Sequence, residues 1–176
     1  WFRGDIINPR KMKGEYLVPL SMAVLVSGDF DKLNGPMGKM FIDSIRDQFK
    51  GLSNSSLEEI SQHMQQYSPE QMVGVISSVK GKLFERMIVH HENNDGDQYQ
   101  SEIFETPNHP MVDIKISDAM TGKSYGIQLK ASENVNYIEE TLRKYPDTPI
   151  IVPKGVAEKV NHPLVMDGNY TMDKIN

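Results

Sequence analysis

The residues most suited to chemistry lie in the stretch 110–132, PMVDIKISDAMTGKSYGIQLKAS. Apolar and polar side chains alternate on both sides of a glycine-containing turn, which predicts two short strands. Antiparallel pairing of these strands would bring Asp113, Gln128 and Lys130 onto one polar face. An acid, an amide and an amine on one face could form a catalytic or binding site. The alternative is a solvated sheet face with a cross-strand salt bridge.

The same residues resemble the PD-(D/E)XK nuclease superfamily, in the variant where glutamine replaces the second acid. The matching pieces are Pro110 with Asp113, followed by Gln128-Leu129-Lys130. The resemblance covers about residues 69–153. It implies a metal-dependent endonuclease that hydrolyses DNA phosphodiester bonds, with Mg²⁺ or Mn²⁺ as the cofactor. Such hard cations are held by oxygen ligands.

The resemblance also implies a role for each of these residues. Asp113 would be the essential acid and a metal ligand, and Gln128 would supply its side-chain carbonyl oxygen. The backbone carbonyl of Leu129 would be a further ligand. Lys130 would orient the attacking water or neutralise charge that develops on the phosphate. A glutamine in place of an acid leaves the site one charge weaker, which should lower metal affinity rather than abolish it.

The family also carries a glutamate on the helix before the first strand, and Glu85 is the candidate in this sequence. Glu85 falls nearly opposite the apolar stripe through Val79 and Leu83, which favours solvent exposure. The last two turns of that helix are nevertheless apolar on almost every side. An acid buried there would need a metal ion or another cation to offset its charge. Glu92 and Glu105 are the alternatives.

Hydrophobic periodicity and capping signals predict the elements that position these residues. Residues 1–67 are predicted to be a helical region, with a capping box at Ser56 and Glu59. A second capping signal at Ser68 opens a longer helix to about His91, after which the period changes from 3.6 to 2. Strands are predicted at 99–105, 111–117, 125–132 and 149–153, with a helix at 134–145 before the last.

The predicted fold class is therefore α/β with a mixed sheet, in the order α-β-β-β-α-β from residue 68. The resemblance makes this a restriction-endonuclease-like core. The predicted domains are a helical N-terminal region at 1–67 and a nuclease-like domain at 68–176.

Composition excludes some classes of function. The chain has no cysteine, which excludes disulfides and thiolate metal sites. It has no apolar run of the roughly 18–20 residues that a membrane span needs. The net charge of −5 counts against a protein that coats DNA through phosphate contacts alone. It does not exclude a nuclease, because a bound cation offsets the charge of an acidic metal site.

The arrangement of a helical region before a nuclease-like region also resembles the C-terminal toxin region of bacterial contact-dependent or polymorphic toxins. That resemblance implies action on DNA in the cytoplasm of a target cell, delivery within a larger secreted protein, and a cognate immunity protein as partner. The chain begins at Trp1, so we expect it to be a fragment. Restriction and transposon-end endonucleases remain open. The alternative from another class is a non-catalytic module that uses the nuclease fold to bind a protein or DNA partner.

Overall fold

The computed structural model describes residues 17–104 and 111–168. Its helices are α1 Leu17–Ser27, α2 Pro36–Gln48, α3 Leu57–Met64, α4 Pro69–Glu92, α5 Val135–Lys144 and α6 Ala157–Val160. Its strands are β1 Tyr99–Ile103, β2 Ile114–Asp118, β3 Ser124–Leu129, β4 Ile150–Val152 and β5 Val165–Asp167. The chain divides into two compact units, whose described residues are 17–83 and 84–168 without 105–110. This division falls inside α4, whereas the predicted boundary at residue 67 keeps α4 whole.

The first unit is helical, as the capping signals predict. The Ser56 hydroxyl accepts a hydrogen bond from the Glu59 N–H at 3.2 Å, and the Glu59 carboxylate accepts one from the Ser56 N–H at 2.7 Å. This reciprocal pair satisfies two donors that a helix start leaves without partners. Helix α1 packs against α2 and α3. The buried apolar residues of these three helices are Leu17, Val18, Met22, Val24, Leu25, Phe41, Ile42, Ile45, Ile60 and Met64.

The second unit contains a five-stranded mixed sheet in the order β1-β2-β3-β4-β5. Strands β1, β2 and β3 form an antiparallel meander, while β4 pairs parallel to β3 and β5 parallel to β4. Parallel neighbours need a crossover, and α5 supplies it between β3 and β4. The predicted α/β class and the predicted order of elements are confirmed.

Helix α5 covers one side of the parallel part of the sheet. Its buried residues Ile138 and Leu142 pack with Ile150 and Val152 of β4 and with Val165 of β5. The helix starts at Asn134, whose side chain accepts a hydrogen bond from the Tyr137 N–H at 3.2 Å. This N-cap sets where the chain turns from β3 into α5.

The C-terminal end of α4 closes the outer edge of β1. The Asn93 side chain accepts a hydrogen bond from the Ser101 N–H at 2.6 Å and donates one to the Ser101 carbonyl at 2.9 Å. The Ser101 hydroxyl also donates to the Val89 carbonyl of α4 at 3.3 Å. An exposed strand edge can pair with strands of other chains. The side-chain amide of Asn93 occupies the centre of the β1 edge.

None of the helices in the described ranges is both long enough and apolar enough to cross a membrane.

Candidate functional site

Asp113 is fixed to the strand that carries the Gln128-Leu129-Lys130 motif. Its Oδ2 accepts a hydrogen bond from the backbone N–H of Leu129 at 2.7 Å. The carboxylate therefore takes the place that a main-chain carbonyl would occupy if the β2–β3 ladder continued. Hydrogen bonds from an N–H to a carboxylate are shorter and stronger than those to a neutral acceptor. The acid is thus anchored beside the motif, although Leu129 lies 16 positions further along the chain.

The start of β2 departs from the regular strand that the alternation predicts. The Asp113 N–H bonds to the Ile127 carbonyl at 3.0 Å, whereas the register pairs Ile127 with Ile114. Two successive residues that face one partner residue are the pattern of a β-bulge, which redirects side chains locally. The prediction of a strand from residue 111 is therefore wrong, and the strand begins at Ile114.

Gly126 makes room for this bulge. A Cβ at Gly126 would lie 2.9 Å from both γ-methyl groups of Val112, the residue before Asp113. Because Gly126 has no side chain, the segment that carries Asp113 can lie against β3. This glycine of the predicted strand 125–132 thus has a packing role.

Gln128 is buried, with an exposed fraction of 5%. It lies in register with Ile150 of β4. No described residue forms a hydrogen bond with its buried side-chain oxygen, Oε1. A buried acceptor without a partner costs about 1–3 kcal/mol, so a ligand is one physical reason to retain it. The interpretation of this face as solvated is wrong for Gln128.

Lys130 contacts helix α5 rather than an acid. Its Nζ donates a hydrogen bond to the Tyr137 hydroxyl at 3.2 Å and lies 5.2 Å from the centroid of the Tyr137 ring. Within the described part of the chain, Lys130 forms no ion pair with a carboxylate. The cross-strand salt bridge of this sheet joins Lys115 to Glu102 at 2.9 Å instead. The amine of Lys130 is therefore available to contact an anion.

Glu85 lies on α4 in the second unit and is buried, with an exposed fraction of 7%. Its neighbours along the helix, Phe84, Met87 and Ile88, are also buried. The position of Glu85 opposite the Val79 stripe predicted solvent exposure, and this prediction is wrong. Glu85 instead lies among buried apolar residues of the helix, as the alternative predicted. The assignment of Glu85 to the site stays a prediction.

The alternatives to Glu85 are Glu92 and Glu105, and Glu105 lies outside the described residues, as does Pro110 of the motif. Glu92 lies at the end of α4. Its burial raises its pKa, and the nearby Asp95 and Asp97 carboxylates raise the pKa further, while His91 acts in the opposite direction. Glu92 is thus held in an environment that disfavours its charge.

We expect Glu92→Gln to raise the melting temperature near neutral pH and to leave it almost unchanged at about pH 4. A raised pKa means that the native state favours the protonated carboxyl. The stability that Glu92 contributes is therefore present at pH values below 4.5, its usual pKa. It is lost as the pH rises through the raised pKa. Thermal unfolding of both proteins across this pH range measures the effect.

Glu102→Gln is the matched control, because Glu102 forms a surface ion pair with Lys115. Its loss should bring no gain in stability near neutral pH. An equal change in melting temperature for Glu92→Gln at both pH values would contradict the prediction.

The residue that sequence reasoning missed is Tyr137. The pattern of 134–145 shows an apolar stripe through Val135, Ile138 and Leu142, and Tyr137 lies outside it. The signal that could have found it is its position in the first turn of the helix that follows β3 and Lys130.

The oxygen-rich set around Leu129 suits a hard cation better than a soft one. Asp113 offers a carboxylate, Gln128 an amide oxygen and Leu129 a backbone carbonyl. Among residues 17–104 and 111–168, no three or more His, Cys, Asp or Glu side chains form a group that could hold a metal. Amide and backbone oxygens would therefore have to supply part of any coordination here.

No family model, curated protein or solved structure matches this chain. Its function must therefore be inferred from the side chains themselves.

Proposed function

We propose that the second unit is a metal-dependent endonuclease that hydrolyses DNA phosphodiester bonds on a restriction-endonuclease-like core. The observation that carries the proposal is the 2.7 Å hydrogen bond from the Leu129 N–H to Asp113. It fixes the Asp113 carboxylate at Leu129. Leu129 lies between Gln128 and Lys130, which are the other two polar residues of the motif. The acid and the motif are thereby joined in space as the PD-(D/E)XK resemblance requires.

The residues present fit Mg²⁺ or Mn²⁺. Such cations prefer oxygen ligands, and Asp113, Gln128 and Leu129 would supply three of them. The buried Oε1 of Gln128 supports this assignment, because a cation would satisfy an acceptor that has no protein partner among the described residues. Glu85 is the candidate for a further ligand. When bound, the cation would polarise the phosphate and activate water.

The protein's own part in the reaction would be to place charges. Asp113 holds its negative charge at the end of β3, where the Leu129 N–H fixes one carboxylate oxygen. Lys130 would present its ammonium group to the phosphate oxygens, where negative charge develops in the transition state. The amine forms no ion pair with a described carboxylate, so no described acid offsets its charge.

DNA is the proposed substrate and a cognate immunity protein the proposed partner, in the setting of a toxin that acts in the cytoplasm of a target cell. The division into a helical unit and a sheet-containing unit supports this setting. The net charge of −5 means that DNA binding would depend on local groups such as Lys130 and on the cation, rather than on the overall charge.

The test is cleavage of a supercoiled plasmid by the purified protein with Mg²⁺, with Mn²⁺ and with a chelator. Lys130→Ala should reduce metal-dependent nicking by roughly 10²–10³-fold, as removal of one transition-state donor does in other enzymes. Lys144→Ala is the matched control, because Lys144 also lies over a tyrosine ring, 5.3 Å from the centroid of Tyr145, but at the other end of α5. A folded wild-type protein that leaves the plasmid intact with both cations would overturn the proposal.

A second candidate is a non-catalytic module that binds a protein or DNA partner. The net charge of −5 and the glutamine that stands in place of the second acid of the motif favour it. This candidate predicts that the wild-type protein shifts labelled DNA in a gel without cleaving it, or binds an immunity-type protein only. Cleavage by the wild-type protein excludes it.

A further inference from the structure

A closed series of hydrogen bonds joins the end of β3 to the start of α5. The Ser132 N–H donates to the Lys130 carbonyl at 2.8 Å, and the Asn134 N–H donates to the Ser132 hydroxyl at 3.1 Å. The Tyr137 N–H then donates to the Asn134 side chain at 3.2 Å. The Lys130 ammonium completes the series by donating to the Tyr137 hydroxyl at 3.2 Å. The backbone and the side chain of Lys130 are therefore both tied to the same short segment.

Tyr137 holds the lysine in two ways. Its hydroxyl oxygen accepts the hydrogen bond from the ammonium group, and its ring lies 5.2 Å from Nζ, within the range of about 6 Å for a cation–π contact. Tyr137 is 44% exposed, whereas its neighbour Ile138 is fully buried in the α5 core. Core packing therefore does not explain the tyrosine, and its contact with Lys130 does.

This contact has a consequence for Asp113. The Asp113 carboxylate is bound to Leu129, the residue next to Lys130. A lysine side chain is flexible and strongly attracted to a nearby acid. If nothing held it, the ammonium could pair with Asp113 and occupy the oxygen that a cation needs. The described residues show no such pair.

We propose that Tyr137 is the positioning residue for Lys130. It holds the ammonium group at the N-terminal end of α5, away from the Asp113 carboxylate, where the group can contact a phosphate of the substrate. The inference deepens the proposed endonuclease and rests on it for the role in cleavage. The arrangement of the lysine itself can be measured without any reaction.

A double-mutant cycle tests the role in cleavage. Tyr137→Phe should lower kcat by roughly tenfold with little change in KM, because loss of the hydroxyl misplaces the amine. In a Lys130→Ala background, Tyr137→Phe should cause no further loss, since a positioning residue acts only through its partner. Tyr145→Phe is the control, and it should leave kcat unchanged. Losses that multiply in the double variant would overturn the proposal and assign Tyr137 a direct contact with DNA.

Nuclear magnetic resonance of the protein without DNA or metal tests the arrangement itself. The ε-methylene protons of Lys130 should show nuclear Overhauser effects to the ring protons of Tyr137, because the ammonium group contacts this residue. Tyr137→Phe should weaken these effects, because the hydroxyl that holds the amine is lost, and Tyr145→Phe should leave them unchanged. Absence of these effects from the wild-type protein overturns the inference whether or not the protein cleaves DNA. Their presence in a protein that cleaves no DNA would instead overturn the endonuclease and the role of Tyr137 in cleavage, while the contact stands.

Discussion

Asp113→Asn is expected to reduce metal-dependent plasmid nicking by about 10³-fold or more, while the free energy of unfolding stays within about 1 kcal/mol of wild type. The asparagine side chain keeps an oxygen that can accept the hydrogen bond from the Leu129 N–H, so this donor at the end of β3 keeps a partner. It lacks the negative charge that would hold a divalent cation. Plasmid cleavage, Mn²⁺ binding by calorimetry and urea unfolding measure the three effects.

Asp113→Ala separates the chemical role of the carboxylate from its structural one. Alanine removes both the charge and the acceptor, which leaves the Leu129 N–H without the partner that lies at 2.7 Å in the wild-type protein. We expect a further loss of about 1–3 kcal/mol in the free energy of unfolding relative to the asparagine variant. An asparagine variant that cleaves like wild type would remove Asp113 from the site. Equal stability of the two variants would show that the hydrogen bond from Leu129 contributes nothing to the free energy of unfolding.

Gln128→Leu is expected to have opposite effects on stability and on function. Leucine fills a similar volume and removes a buried acceptor that has no partner in the described structure. The free energy of unfolding without divalent cations should therefore rise by about 1 kcal/mol. Cation affinity and cleavage should fall by roughly tenfold or more, because an oxygen ligand is lost. Urea unfolding with and without Mn²⁺ measures both changes, since a cation that binds only the native state stabilises it.

Thr141→Val is the matched control for this gain in stability. Thr141 is also buried, but its hydroxyl donates to the Tyr137 carbonyl at 2.9 Å. Removal of a satisfied hydroxyl should bring no gain, because a hydrogen bond is lost. A loss of more than about 1 kcal/mol on Gln128→Leu would show that the Gln128 amide is structural and would withdraw it from the ligand set.

Gln128→Glu extends the same experiment toward the more common form of the motif. A carboxylate at this buried position should destabilise the protein without metal, because its charge would be desolvated. Added Mn²⁺ should stabilise this variant more than it stabilises wild type, since an anionic ligand binds the cation more tightly. The sign of the stability change should therefore reverse with metal, which no purely structural role of Gln128 predicts.

The sequence alone determined those features of this protein that depend on neighbouring residues. The capping box at Ser56 and Glu59 and the start of α4 after Ser68 follow from hydrogen bonds within one helical turn. The change from period 3.6 to period 2 before β1, and the order of elements after it, follow from local alternation. Such signals act over a few residues, so they can be read without the fold.

Only the tertiary structure decided the environment of the candidate site. Alternation placed Gln128 on a polar face, but whether that face meets water depends on β4 and α5, which follow it in the chain. The bulge at Asp113 is accommodated because Gly126 leaves room for Val112 across the hairpin. The tyrosine that holds Lys130 is brought to it by the N-cap of α5. Burial, strand register and contacts between elements are properties of packing, and residue spacing along one strand does not contain them.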